Sequence, residues 1–171
     1  MIEKAKGLFE GIKRHTSLTP ADEEKIAGYL TAKTIKRKQY FLHEGQVAKT
    51  AAFVLSGCLR SYSIDENGFE HILQFAPANW WITDMYSYIS QKESYLNINA
   101  LDDSEVLLLS RRDQLTLFDE VPALERYFPL PLRERFATQI QAHALRREII
   151  STHVINSMIN RVGPTFVHRL K

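Results

Sequence analysis

The run Phe53-Val54-Leu55-Ser56-Gly57-Cys58-Leu59-Arg60-Ser61-Tyr62 leads through Asp65-Glu66-Asn67-Gly68-Phe69-Glu70 to Phe75. Apolar-rich stretches flank Asn67-Gly68, a pair that tolerates the positive φ of a tight turn, so this segment predicts a β-hairpin. Gly57 falls where one strand ends and the next begins, and glycine supplies the backbone angles a sharp turn needs there, as it does at Gly45. Arg60 and Tyr62 are two residues apart, which puts them on one face of their strand.

Outward from the hairpin, short strand patterns recur at residues 34–37, 40–42, 51–56, 58–64, 70–75, 96–100 and 105–110. Turn signals separate them, and many short strands at regular spacing predict a sandwich or a barrel. Residues 82–89 break the rhythm and predict a short helix between strands. Before the strand zone, residues 1–31 read as helix, with Leu8, Phe9 and Ile12 at helical spacing. Thr19-Pro20-Ala21-Asp22 is a helix start: Thr19 caps, Pro20 has no amide to lose, and Asp22 suits the positive end of the dipole. After it, Ser110-Arg111-Arg112-Asp113 is a second cap signature, and Pro122 and Pro131 each open a helix. From Leu132 the apolar positions Phe136, Ile140 and Ala144 return about every four residues; after Ser151 the pattern weakens, and Gly163-Pro164 ends any helix.

The chain has 171 residues, of which 44% are hydrophobic and 25% charged, which suits one folded domain or one domain with an appendage. No apolar run approaches the roughly 18 residues needed to cross a bilayer. The N-terminal residues lack the apolar core and cleavage site of a signal peptide, so the expected compartment is the cytoplasm. The single cysteine, Cys58, has no disulfide partner in this chain and no companions for a zinc cluster. The net charge is +2, but residues 131–171 carry +5 and the remainder −3. A basic end can face nucleic acid, yet these charges are spread out, which reads first as a solvated helix face.

Enzyme chemistry finds little support. A metal-holding barrel needs two or three histidines and a carboxylate converging inside, and the His-x-His spacing with a following Glu is absent. His43 sits at a turn and His71 stands alone on a strand. There is no nucleophile-elbow Gly-x-Ser-x-Gly and no phosphate-cradling Gly-rich loop. No metal and no resident cofactor is expected.

The string His43-Glu44-Gly45, the hairpin residues quoted above and Phe75 together resemble the first half of a Crp/Fnr-type cyclic nucleotide-binding domain. Ala100-Leu101-Asp102-Asp103-Ser104-Glu105-Val106, running on to Ser110, resembles its last barrel strands. The resemblance covers roughly residues 8–150. It implies a mainly β fold with flanking helices: a double-stranded β-helix (jelly roll) barrel followed by a long dimerisation helix. The division it implies is a barrel domain with N-terminal helices over 1–130, a dimerisation helix over 131–151 and a short tail over 152–171. Twenty residues are too few for the winged helix-turn-helix domain that follows in the family, so DNA binding is not expected of this chain alone.

In cyclic nucleotide binders of this fold, a short helix carries a Gly-Glu pair and a nearby strand start carries an Arg. The helix amides and the guanidinium hold the cyclic phosphate, and the Glu takes a ribose hydroxyl. Here the matching segment is Trp80-Trp81-Ile82-Thr83-Asp84-Met85. Thr83 replaces the glycine, Asp84 the glutamate, and Ser94 or Tyr95 the arginine. A buried phosphate then loses a charge-assisted bond worth about 1.5–3 kcal/mol, so cyclic nucleotide is not the expected ligand. The candidate ligand-binding residues are Trp81, Thr83, Asp84, Met85, Ser94 and Tyr95. Aromatic residues crowd this region: they line a site for a flat or apolar ligand, or they fill the barrel. The expected function is a ligand-sensing regulatory domain of a Crp/Fnr-type transcriptional regulator, with a small-molecule effector. The alternative is a dimerisation or protein-interaction module with a filled barrel. Leu132, Phe136, Ile140, Ala144 and Arg147 form the expected homodimer seam.

Overall fold

A computed structural model describes residues 1–127. Two helices come first, α1 (Lys6–Lys13) and α2 (Pro20–Tyr29). The strands β1 (Thr31–Ile35), β2 (Tyr40–Leu42), β3 (Thr50–Ser56), β4 (Cys58–Ile64), β5 (Glu70–Pro77) and β6 (Trp81–Ile82) follow. A short helix, α3 (Met85–Ser90), precedes β7 (Asn97–Ala100) and β8 (Ser104–Ser110), and α4 (Arg111–Glu120) and α5 (Ala123–Tyr127) close the described part. The eight strands form two four-stranded antiparallel sheets, ordered β1-β8-β3-β6 and β2-β7-β4-β5. This is the expected mainly β architecture with flanking helices. The dimerisation helix expected over 131–151, its seam residues Leu132, Phe136, Ile140, Ala144 and Arg147, and the tail lie outside the described residues.

The helix starts follow the capping chemistry. Asp22 N donates to Thr19 Oγ1 at 3.2 Å and Thr19 N donates to Asp22 Oδ2 at 2.9 Å, closing a reciprocal capping box on α2. Asp113 N donates to Ser110 Oγ at 3.0 Å at the start of α4. Leu8, Phe9 and Ile12 from α1, Ile26 from α2 and Leu117 from α4 join one core with β3 and β8. Both of those central strands bury consecutive residues, Ala51 to Val54 in β3 and Val106 and Leu107 in β8, which is why their sequences read as apolar runs rather than as alternation.

The hairpin differs in detail from a two-residue turn. Asp65 N donates to Phe69 O at 3.0 Å and Gly68 N to Asp65 O at 2.9 Å. Of the pair, only Gly68 takes a positive φ, +85°. Three residues therefore turn the chain, with Gly68 in the left-handed position that closes such loops. The Asp65 carboxylate accepts from the amides of Asn67 and Phe69 and from the His71 ring. His71 is thus held by the turn that precedes its strand.

The strand reading holds for β2 and β4 and shifts elsewhere. Residues 34–37 were expected as the first strand, but β1 begins at Thr31, where pairing with Leu108 outweighs the exposure of its side chains. The two-residue strand β6 had no sequence signal. It exists because Trp81 and Ile82 pair with Phe53 and Ala52, and a strand this short shows no periodicity.

β4 sets the two faces of the second sheet. Leu59 pairs with Ala76 and Ala100, and Ser61 with Gln74 and Ile98, so these residues share the inner face. Arg60 and Tyr62 lie together on the outer face, as their spacing predicts. The Arg60 guanidinium carbon sits 4.4 Å from the Tyr62 ring centroid. Its Nη1 donates to Glu70 at 2.7 Å and its Nε to Asn99 Oδ1 at 3.1 Å.

Candidate ligand site

The segment from β6 to β7 is folded by its own polar side chains. Thr83 Oγ1 donates to Thr50 O at 3.0 Å, anchoring the residue before the helix cap to β3. Asp84 is the N-cap of α3: its Oδ1 accepts from Ser87 N at 3.2 Å. The cap satisfies one of the amides that a helix start leaves without a partner. Ser87 Oγ accepts from Ala48 N at 2.8 Å and donates to Lys92 O, which folds the following loop back onto the helix. Gln91 ends α3 in the left-handed region at φ 56°, and its side-chain amide donates to Ala48 O at 3.2 Å. Ser94 N donates to Gln46 O and Gly45 N to Ser94 O, at 2.7 and 2.8 Å. Gly45 holds φ +83° there, the turn geometry its sequence position calls for.

At the centre of this segment, Ser94 Oγ donates to Asp84 Oδ2 at 2.7 Å. Neither residue has exposed surface. Ser94 Oγ also lies 3.1 Å from Leu96 O, a second acceptor, and accepts from Leu96 N at 3.0 Å. Among the described residues, no Lys, Arg or His nitrogen lies within 4.0 Å of the Asp84 carboxyl. The polar centre is therefore built from a carboxyl, hydroxyls and amides.

The structure brings Thr83, Asp84, Met85 and Ser94 together as buried neighbours of one short helix. Trp81 joins them from β6, its ring set edge-on to Phe53 at 5.3 Å. Tyr95 departs from this group. It is 42% exposed, and its ring stacks beside Tyr86 at 6.2 Å, because the residue after inward-facing Ser94 turns outward.

Three participants were not singled out from the sequence. Ser87 acts as a staple, as above. Gln74 Nε2 donates to Trp81 O at 3.0 Å, tying β5 to the strand that leads into the site. Ser61 lies opposite Gln74 on the inner face, fully buried, and its hydroxyl has no hydrogen-bond partner. The available signal was parity: Ser61 and Ser63 follow Leu59 at every second residue, so small polar groups point where an apolar core is expected. Among the described residues, no three His, Cys, Asp or Glu side chains converge as a metal cluster.

The residues at these positions lack the glycine and the arginine that the resemblance calls for. Of the two positions that could carry the guanidinium, Ser94 directs its hydroxyl at Asp84 and Tyr95 is 42% exposed. The position that would carry glycine is Thr83, whose side chain is buried against β3. Lys92 is the one cation among residues 83–95, and it is exposed on its loop.

Comparison with known proteins agrees with the fold. A cyclic nucleotide-binding domain from Methylobacillus flagellatus superposes with a TM-score of 0.68 at 15% identity, covering 85% of this chain and 83% of that one. The catabolite activator protein of Thermus thermophilus superposes at 0.65 with 21% identity, covering 75% of this chain and 60% of that one. A second likeness begins near the end of α4. Residues 117–171 match the family described as glutamate dehydrogenase, C-terminal. The NAD-specific glutamate dehydrogenase of Mycobacterium tuberculosis is 42% identical over 66 residues, 39% of this chain and 4% of that enzyme. That of Pseudomonas aeruginosa is 40% identical over 86 residues, 50% of this chain and 4% of that enzyme. The chain thus spans about 4% of the length of these curated relatives, and the matched stretch includes the expected dimer seam. The cyclic nucleotide-binding domain family matches residues 32–121, more than half of the chain. With that match, the chain belongs to the cyclic nucleotide-binding domain family.

Proposed function

We propose that this chain is a regulatory sensor domain of the Crp/Fnr type whose signal is not a cyclic nucleotide. The Asp84–Ser94 hydrogen bond carries the reading: a carboxyl and a hydroxyl are paired where the resemblance calls for a guanidinium to meet phosphate. An anion brought beside a buried carboxyl that has no counter-charge among the described residues meets repulsion that low dielectric strengthens. The role is regulatory rather than catalytic, and on this reading the domain works in the cytoplasm as a homodimer. Calorimetric titration of the purified chain with cyclic AMP and cyclic GMP tests it. No saturable heat is expected, and micromolar affinity for either would sink the proposal.

A second reading, an interaction module with a filled barrel, draws on the inner face. Leu59, Ala76, Ile98 and Ala100 are all sealed from solvent there, and the Ser87 bonds to Ala48 and Lys92 fasten the segment around α3. On that reading no small molecule raises the melting temperature, because nothing binds the folded state selectively.

A further inference from the structure

The second sheet sets one row of residues across its outer face. Tyr40 on β2 pairs with Asn99 on β7, Asn99 with Arg60 on β4, and Arg60 with Phe75 on β5. The neighbouring row holds Asn97, Tyr62 and Ile72. The two sides of this face are apolar. Phe75 and Ile72 are 51% and 46% exposed on β5, and across from them the Tyr40 ring stacks on His43 at 4.0 Å. The floor between is polar, and its asparagines are nearly buried: Asn97 is 7% exposed and Asn99 8%. Asn97 Oδ1 accepts from Glu44 N, and Asn99 Oδ1 from Arg60 Nε, both at 3.1 Å. Each bond fixes which end of the amide is which, so each Nδ2 is turned away as a donor. Among the described residues neither Nδ2 has a hydrogen-bond partner. Neither nitrogen is sealed off, so a partner from outside can reach it. Polar groups this deeply set are rarely left without partners.

We infer that this outer face binds an extended segment of a partner protein, whose backbone carbonyls accept from the amides of Asn97 and Asn99. The two asparagines are two residues apart on β7, so their side chains rise roughly 6.5 Å apart on one face. An extended peptide repeats its carbonyl direction at the same two-residue interval. When those carbonyls point at the floor, its side chains point sideways, one set toward Ile72 and Phe75 and the other toward Tyr40 and His43. Strand spacing puts β2 and β5 about 14 Å apart, which is room for one such chain. Charge sets the composition of the segment. Arg60 is already neutralised by Glu70 at 2.7 Å. Glu44, whose amide bonds Asn97, and Glu66 in the hairpin turn stand at one end of the face, both exposed. Among the described residues neither has an ion-pair partner. The segment that fits is apolar along its length and carries Lys or Arg at that end, while an acidic segment or the phosphates of a nucleic acid meet repulsion there. The residues around α3 contribute nothing to this face, so its partner is separate from the signal of the sensor reading.

Nitrogen-15 NMR titration of the full chain reads the two side-chain amides directly. The probe is the acetylated and amidated heptapeptide Lys-Val-Thr-Val-Thr-Val-Lys. The Nδ2 signals of Asn97 and Asn99 are expected to shift saturably as it is added. The same peptide with Glu at both ends is expected to bind about threefold more weakly. The double variant Ile72→Thr/Phe75→Thr removes one apolar side while keeping residues that favour strands, and is expected to lose about tenfold in affinity. Thermal unfolding confirms that it is folded. Leu115→Ser, at an exposed position on α4, is expected to bind as the natural chain does. Asparagine amides that stay still while the Lys peptide is added overturn the proposal, as does a folded Ile72→Thr/Phe75→Thr variant with undiminished affinity. Equal binding of the Lys and Glu peptides overturns the charge assignment. Movement of the two amides with maltohexaose or oligothymidylate, but with neither peptide, overturns the protein partner in favour of a sugar or a nucleic acid.

Discussion

The Tyr62 hydroxyl is hydrogen-bonded to the Tyr40 hydroxyl at 3.0 Å on the outer face of the second sheet. Tyr62 is buried although its sheet face looks toward solvent, because Arg60 lies over its ring and Tyr40 covers its tip. An outer face of this kind is a fixed polar layer rather than a wash of mobile side chains.

That layer gives the protein an alkaline limit. Burial first, then the bond to Tyr40, pushes the Tyr62 hydroxyl up to about 12 from an ordinary 10.0. Burial also raises Tyr88 on α3. The unfolded chain gives up the Tyr62 proton at lower pH than the folded chain, so the folded state holds more protons between the two values. Stability must then fall as pH rises from about 10 to about 12. Denaturant titrations across that range, read beside tyrosinate absorbance, should show the fall in the natural chain. In Tyr62→Phe the fall should be shallower, at a cost near neutral pH of about 1 kcal/mol for the lost hydrogen bond. A flat alkaline limb in the natural chain would contradict the sign.

Gly57 and Gly45 separate two causes of glycine dependence. Both hold positive φ, +82° and +83°. A Cβ at Gly57 would stand 2.7 Å from Asp103 O and 2.9 Å from the Cα of Ser104, both backbone atoms that cannot step aside. A Cβ at Gly45 would meet nothing within 4 Å. Gly45→Ala should therefore cost only the backbone term, about 1–2 kcal/mol. Gly57→Ala should cost clearly more, about 3 kcal/mol or above, since the β3–β4 turn must move away from the start of β8. Urea midpoints decide it, and equal losses at the two sites would show that the close approach contributes nothing.

These contrasts mark what the sequence could carry. The caps at Thr19 and Ser110, the turns at Gly45 and Gly57 and the outward pairing of Arg60 with Tyr62 all depend on residues a few positions apart. Local chemistry decides them. β6 was hidden because its existence depends on β3, some thirty residues earlier. The Asp84–Ser94 bond was hidden for a related reason. The two residues are visible as polar positions flanking a short helix, but their meeting needs the loop that Ser87 and Gln91 fold back. Tyr95 stands beside Ser94 as a candidate site residue, and its 42% exposure depends on a local turn that its neighbours in the chain do not reveal.

Rebuilding the missing counter-charge should restore phosphate recognition. Ser94→Arg places a guanidinium beside Asp84, and Thr83→Gly clears the side chain now bonded to Thr50 O. The double variant should gain affinity for cyclic AMP of roughly ten- to a hundred-fold over the natural chain, the worth of a charge-assisted hydrogen bond. Some stability should be lost with the Thr83 bond, so melting temperature is measured alongside calorimetry. A folded double variant that still ignores cyclic AMP would mean that something besides counter-charge, such as enclosed volume, bars the ligand.

The proposed assembly rests on residues beyond those described. Leu132, Phe136, Ile140, Ala144 and Arg147 are proposed as a two-fold seam, yet they fall within the stretch that matches the glutamate dehydrogenase C-terminal family. The two ideas make different demands on the same side chains. A seam buries Phe136 and Ile140 against a twin, so replacing both with Asp places unpaired charges in an apolar interface and should convert dimers to monomers. Sedimentation velocity of the natural chain and the Phe136→Asp/Ile140→Asp variant reads the outcome. A natural chain that dimerises and a variant that does not would support the seam. A variant that keeps the dimer moves the contact elsewhere on the molecule. A natural chain that is monomeric at every concentration would leave the apolar stripe to the enzyme-like segment, as a surface that packs within a larger protein.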